Sequence, residues 1–280
     1  MRETKLIIVE GIWGSGKTTT AQNIQKKLLN RGKNHELFVE GNLKHPADFD
    51  GVAYLSGNEY RELTKLFPNY VRVIGKYTEE EGGYQLVHYK KLLQENNEVN
   101  QEFTSYISQF DVYDGNLSME THIHVVLSQW RKFVENAKVS DNIWIFECCF
   151  LQNPLTAMLA KYNATDDTIK NYIQTLAKTI EPLNPTVIYL YQTNINETFD
   201  KACQERSLEW VDGVTHYVTS QGYGKAAGLA GKSGTVAWLE KRKQLELEVL
   251  TVLPFESFII ETSDQNWSRI DIGIEQFLSL

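Results

Sequence analysis

Near its start the chain reads Val9-Glu10-Gly11-Ile12-Trp13-Gly14-Ser15-Gly16-Lys17-Thr18-Thr19-Thr20. A glycine, four residues, then Gly-Lys-Thr is a spacing that holds phosphate. Backbone N–H groups must converge on the anion, so side chains have to be absent where the loop wraps it, and Gly11, Gly14 and Gly16 supply that freedom. Lys17 is placed to reach β- and γ-phosphates, and the Thr18 hydroxyl is a ligand for Mg²⁺. A helix starting near Lys17 would add its dipole and free N–H groups. The expected nucleotide contacts are Gly11, Trp13, Gly14, Ser15, Gly16, Lys17, Thr18 and Thr19. A later stretch, "AAGLAGKS" (226–233), ends in the same way. It has Ala226 where the first glycine belongs and no apolar strand before it, so it is not a second loop.

Moving a phosphoryl group needs more than a cradle. It needs a carboxylate near the metal, a base or orienting group at the acceptor, mobile positive charge and a lid. Glu147 ends the apolar run "IWIFE" and is the expected second metal-site residue beside Thr18. Glu40 ends "ELFVE" at the same sheet edge and is the expected general base or acceptor-orienting group. Arg206 lies late in a helix and is the expected mobile cation, with Lys201 and Lys225 as weaker versions. Gln129 and Arg131 are further acceptor-side candidates. His122 and His124 would point to different faces of a helix, so they receive no metal role.

The elements that must position these residues are legible as alternating patterns. Strands are expected at Leu6–Val9, Leu37–Val39, Ile143–Phe146, Thr186–Tyr191 and Phe258–Ile260, with helical periodicity between them. That alternation predicts a parallel sheet with helices on both faces. Ala21, Ile24, Leu28 and Leu29 are spaced for one apolar helix face, and Gly32 is placed to stop that helix. Asn153 reads as an N-cap with Pro154 at the first helical position. Thr165 reads as a cap for "DDTIKNYIQTLAKTI", and Asn194 with Glu197 as a capping box. "TVAWLEKRKQLELEVL" reads as an amphipathic helix. Residues 50–118 form a long aromatic-rich insertion. Within it, "VRVIGKYTEEEGGYQLVHY" fits a hairpin turning at Gly82–Gly83, or a helix in its second half. Residues 212–235 hold six of the eighteen glycines, which predicts a mobile loop within a lid at about 206–236.

Composition bounds the rest. The 280 residues, 42% hydrophobic, suit a single α/β domain (1–280) with elaborations. A net charge of −8 argues against a nucleic-acid partner. There is no apolar run long enough for a membrane span. A first strand near residue 5 leaves no room for a signal peptide. Three cysteines make no disulfide framework, and the adjacent Cys148 and Cys149 read as small buried residues at a strand end. The expected setting is cytoplasmic, and a homodimer is left open. A guanine-reading Asn-Lys-x-Asp is absent. "DFDG" (48–51) matches a switch segment by letters only.

"IIVEGIWGSGKTTTAQNI" resembles the N-terminus of the thymidylate kinase and deoxynucleoside kinase group of P-loop kinases. The outline continues with carboxylates after the second and third strands (Glu40, Glu147), an arginine running into a lid (Arg206), and a closing strand and helix. The resemblance implies a P-loop NTPase fold with a five-stranded parallel sheet of order 2-3-1-4-5, ATP with Mg²⁺, and phosphate transfer to a small-molecule acceptor. The acceptor signature departs from the group. Glu147-Cys148-Cys149 stands where that group carries Asp-Arg or Glu-Arg-Ser, Val39-Glu40-Gly41 stands where thymidylate kinases carry Arg-Glu-Pro, and Trp13 replaces an acid. The expectation is therefore a kinase acting on an unphosphorylated hydroxyl. The alternative is a nucleotide-binding regulator or slow ATPase.

Overall fold

The computed structural model describes residues 4–96 and 99–280. Residues 97 and 98, inside the expected insertion, lie outside the described residues. In chain order the elements are β1 (Leu6–Gly11), α1 (Lys17–Asn30), β2 (His35–Phe38), β3 (Ala53–Ser56), α2 (Gly57–Leu66), α3 (Val71–Lys76), β4 (Thr78–Glu81) and β5 (Tyr84–Val87). Then come α4 (Tyr89–Glu95), α5 (Gln101–Ile107), α6 (Met119–Lys138), β6 (Ile143–Glu147), α7 (Gln152–Thr156), α8 (Asp166–Ile180) and β7 (Thr186–Tyr191). The chain closes with α9 (Ile195–Glu205), α10 (Leu208–Thr219), α11 (Gly222–Ala226), α12 (Gly231–Leu250), β8 (Ser257–Glu261) and α13 (Trp267–Leu278). These elements form two compact units, Met1–Glu40 with Trp130–Leu280, and Gly41–Gln129.

The first unit is built on a five-stranded, all-parallel sheet of order β2-β6-β1-β7-β8. Numbered among its own five strands, this sheet reads 2-3-1-4-5; the chain-wide numbers differ because β3, β4 and β5 intervene. β1 is central, and all six of its residues are buried. That is why its sequence runs apolar without alternation. One face packs Ile7, Val9, Ile145, Ile188 and Leu190 against Ala21, Ile24 and Leu28 of α1 and Ile270 and Ile274 of α13. Leu29, expected on the same stripe, is exposed.

Residues of opposite parity face the other side. There the Tyr189 hydroxyl donates to Glu246 Oε2 of α12 at 2.6 Å. α12 is tied to α8 by Lys241–Asp166 and Lys170–Glu248 pairs. Its buried side carries Trp238, Leu239, Leu245 and Val249, together with Arg242 and Glu246. A simple amphipathic pattern is therefore absent, because a charged pair lies on the face turned inward.

The expected mobile loop at 212–235 is instead helical, comprising α10, α11 and the start of α12. Three of its six glycines, Gly222, Gly224 and Gly234, serve close packing. A Cβ at Gly222 would come within 2.2 Å of the Ala160 carbonyl oxygen, and one at Gly224 within 1.9 Å of the Val218 oxygen. Asn153 does not cap α7, which begins one residue earlier at Gln152 after Leu151. Thr165 and Asn194 do cap α8 and α9, accepting from the backbone N–H of Thr168 and Glu197.

The second unit holds the antiparallel sheet β3-β5-β4. Its hairpin turns at Gly82–Gly83, both at positive φ, as a two-residue turn between twisted strands requires. Residues 71–76 before it are the helix α3. Ser56 and Glu59 form a capping box on α2. Apolar residues of the sheet and α2–α5, among them Leu55, Leu63, Val87, Leu92 and Phe103, make a separate core. Among the described residues no helix is long and apolar enough to cross a membrane.

Candidate active site

β1 delivers the chain into the loop at Gly11, and α1 leaves it at Lys17. Gly16 caps α1 in the left-handed conformation (φ 95°), and a Cβ there would fall 2.1 Å from the Trp267 ring. Only glycine satisfies both conditions. The Lys17 ammonium is buried and donates to the Ile12 carbonyl at 3.1 Å, folded across the loop it is expected to serve.

The structure brings three of the expected residues together. Thr18 Oγ1 donates to Glu147 Oε1 at 2.7 Å. Glu147 Oε2 accepts from the backbone N–H of Glu40 at 3.3 Å. Glu40 lies two residues beyond the end of β2 rather than ending it, and is exposed. Its Oε1 accepts from Gln152 Nε2 at 2.9 Å. The Gln152 side chain is buried, and its Oε1 has no donor among the described residues. Thr18, Glu147, Glu40 and Gln152 thus form a continuous chain beside the loop. At its Glu40–Gln152 end lie an exposed carboxylate and a buried amide oxygen, and no ion pair to Glu40 occurs among the described residues.

Two hard oxygen donors meeting at the head of a phosphate-type loop fit Mg²⁺, which keeps several waters and takes only one or two protein ligands beside phosphate oxygens. No group of three or more His, Cys, Asp or Glu side chains suited to a metal occurs among the described residues. His122 is buried and His124 exposed on α6, on different faces as expected.

Trp13 is occupied in packing. Its ring stacks with Trp238 at 6.0 Å and meets Trp210 edge-on at 5.9 Å. The Arg242 guanidinium lies 5.2 Å from the Trp13 ring and forms an ion pair with Glu246 at 3.1 Å. Arg206 is not within a helix; it is the extended residue after α9, exposed, with its guanidinium 5.5 Å from the Trp210 ring. The aromatic cluster therefore links Arg206 to the loop through Trp210 and Trp13. Lys201 pairs with Glu205 inside α9. Arg131 is exposed, while Trp130 beside it is core. Gln129 donates to the Pro46 carbonyl, and Arg61 to Asn58, within the second unit.

Three buried charged residues of the first unit were not singled out by the sequence. Glu10, the residue before Gly11, is fully buried, and its carboxylate accepts from the N–H groups of Phe150, Leu151 and Gln152. Burial pushes it up from 4.5 to about 7, against the opposing pull of those three donors. Arg242 and Glu246 are the other two. The available signal was positional: both fall on the helical face shared by Trp238, Leu239, Leu245 and Val249. Cys148 and Cys149 are buried at the strand end, as expected. Burial, then the charges of Glu40 and Glu10, hold the Cys148 thiol well above its ordinary value, which leaves it protonated and unreactive.

No family model matches the chain, and no curated protein matches it. Among solved structures it is similar to a deoxyadenosine kinase and a thymidylate kinase. One is deoxyadenosine kinase from M. mycoides with bound dATP, at 16% identity over 98% of this chain and 100% of that one, with a TM-score of 0.43. The same enzyme with the products dCMP and dCDP has 16% identity, the same coverage and a TM-score of 0.42. Thymidylate kinase from Candida albicans has 15% identity over 97% of this chain and 92% of that one, with a TM-score of 0.43. At this distance no residue role transfers from them.

Proposed function

We propose that the chain is an ATP-dependent kinase that phosphorylates a hydroxyl of a small, unphosphorylated acceptor. The observation that carries this reading is the Thr18–Glu147 contact at 2.7 Å. Two residues 129 positions apart, each expected at a metal site for a different reason, meet at the head of the loop. A bound Mg²⁺ would neutralise charge on the phosphates, and Thr18 and Glu147 would hold it. Lys17 would leave the Ile12 carbonyl for the β- and γ-phosphates. Arg206, exposed and held among the described residues by its contact with the Trp210 ring, would supply charge to the transferring group.

The acceptor class follows from the Glu40–Gln152 pair. A carboxylate and an amide oxygen side by side accept hydrogen bonds, so they favour hydroxyl or ammonium donors and repel a phosphate. Arg242, the buried arginine nearest the loop's Trp13, has its charge engaged by Glu246. Glu40 is then the group that takes or orients the hydroxyl proton.

The test is ATP consumption and product mass across a panel that pairs each nucleoside with its monophosphate, beside sugars and amino alcohols. One unphosphorylated compound should stimulate turnover and gain a phosphate. Preference for a monophosphate would overturn the acceptor reading. Slow phosphate release that no compound stimulates would replace the kinase with a nucleotide-dependent regulator.

A further inference from the structure

Glu10 accepts three hydrogen bonds, all from backbone N–H groups. Its Oε1 accepts from the N–H groups of Phe150 and Leu151, both at 2.8 Å, and its Oε2 from Gln152 N at 3.1 Å. These amides lead into α7, whose N-cap residue Leu151 has no side chain able to accept. The amides of residues 150–152 lie before the N2 and N3 positions that an N-cap side chain serves, so no local cap at position 151 reaches them. Here the acceptor comes from β1 instead, 140 residues earlier, at the position directly before the phosphate loop.

The consequence lies in the next side chain. Gln152 is the residue whose N–H meets Glu10 Oε2 and whose Nε2 meets Glu40. A local cap would fix only α7. Glu10 fixes α7 to the strand that feeds the loop, so the Gln152–Glu40 pair and the phosphate cradle are set from one rigid element. The charged and titratable groups around Glu10 are Glu246 of α12, with its partners Arg242 and Tyr189, and Cys148 after β6. Among these groups no cation pairs with the Glu10 carboxylate, so the three N–H groups are what orient it.

We infer that Glu10 is a positioning residue that aligns the Gln152–Glu40 pair with the phosphate loop. The catalytic sense of this alignment rests on the proposed function; the alignment itself does not.

The experiment uses Glu10→Gln in the full chain. The amide keeps the volume but offers one oxygen, so an NH₂ group faces an N–H donor from Phe150 and Leu151 or from Gln152. Four readouts apply: thermal melting, ATP affinity, backbone hydrogen exchange at residues 150–152, and the Gln152 side-chain amide resonance, identified by its loss in Gln152→Ala. Expected are a folded variant, ATP affinity within about threefold, exchange at 150–152 faster by about tenfold or more, and a Gln152 resonance moved toward that of an exposed glutamine. With the acceptor in hand, kcat should fall by about tenfold or more with little change in KM for ATP. The double variant Glu10→Gln/Gln152→Ala should fall no further than Gln152→Ala alone. An unmoved Gln152 resonance, or additive losses in the double variant, would overturn the inference. If Glu10→Gln does not fold, Glu10→Asp takes its place: the charge remains, one methylene of reach is lost, and the Gln152 resonance should still move. A shifted resonance with no compound phosphorylated would leave the alignment standing and remove the kinase reading.

Discussion

Lys17 carries the sharpest expectation at the level of single residues. Its ammonium already lies over the loop, on the Ile12 carbonyl, and nucleotide phosphates are its stronger partner. Lys17→Ala should cut phosphoryl transfer by far more than tenfold, that is by more than about 1.4 kcal/mol, while circular dichroism and melting show an intact fold. Activity within that margin would remove Lys17 from the chemistry. The loop residues were legible because their spacing is itself the chemistry. Glu147 was legible because a carboxylate ending a buried strand has few structural uses. Glu10 was not, although it ends the same apolar run that announces β1. Its partners are three backbone amides 140 residues away, and no local pattern records them. Gln152 was missed for the related reason that its role depends on where α7 starts.

At the level of elements, α12 shows what periodicity alone hides. Arg242 and Glu246 are fully buried between Trp13, Trp238, Thr156 and Tyr189. At i,i+4 spacing they look like a surface pair, worth a few tenths of a kcal/mol. Buried, they behave differently. Arg242→Met strands the Glu246 carboxylate and should destabilise by about 3–5 kcal/mol, whereas Arg242→Met with Glu246→Leu should recover most of that loss. Denaturant unfolding of both variants checks this, and equal losses would show that the pair is not coupled. Residues 212–235, which are helical, were read as a loop for a related reason. Glycine density marks either freedom or close approach, and only tertiary contact tells them apart. Arg206 belongs to this scale too, since it joins α9 to α10 and rests on Trp210. Arg206→Ala should lower turnover much more than ATP affinity, because the role proposed for it uses its charge chiefly in the transition state. Parallel losses in both would place it in simple binding. The five-stranded sheet, by contrast, was legible almost strand for strand: its central strands β1 and β7 are buried on both faces and read as unbroken apolar runs, and the partly exposed edge strands β2 and β8 keep shorter ones.

At the level of the whole molecule, one buried group in each compact unit is expected to respond to pH, the two in opposite directions. In the first unit burial holds Glu10 at about 7 rather than 4.5. Between those values the folded state keeps a proton that the unfolded chain has released. This contribution is complete below about 4.5 and is lost as the pH rises toward 7. In the second unit burial lowers His45 from 6.5 to about 3. Between those values the unfolded chain binds a proton that the folded state excludes. That contribution is complete above 6.5 and is lost as the pH falls toward 3. Asp111 of the same unit, raised by burial, works against His45, so a variant is needed to isolate the histidine. Each displacement amounts to a few kcal/mol at about 1.4 kcal/mol per pH unit, enough to alter local opening. Segment-resolved hydrogen exchange at pH 5 and pH 8, corrected for intrinsic rates, should show protection in 41–129 falling on the acid side. Protection in β1 and the start of α7 should fall on the basic side. His45→Gln should flatten the first trend and leave the second, and Glu10→Gln should do the reverse. If both variants keep the pH dependence of the unmodified protein, these two buried groups do not set it, and the acid response belongs to the exposed carboxylates paired with Lys27 and Arg269.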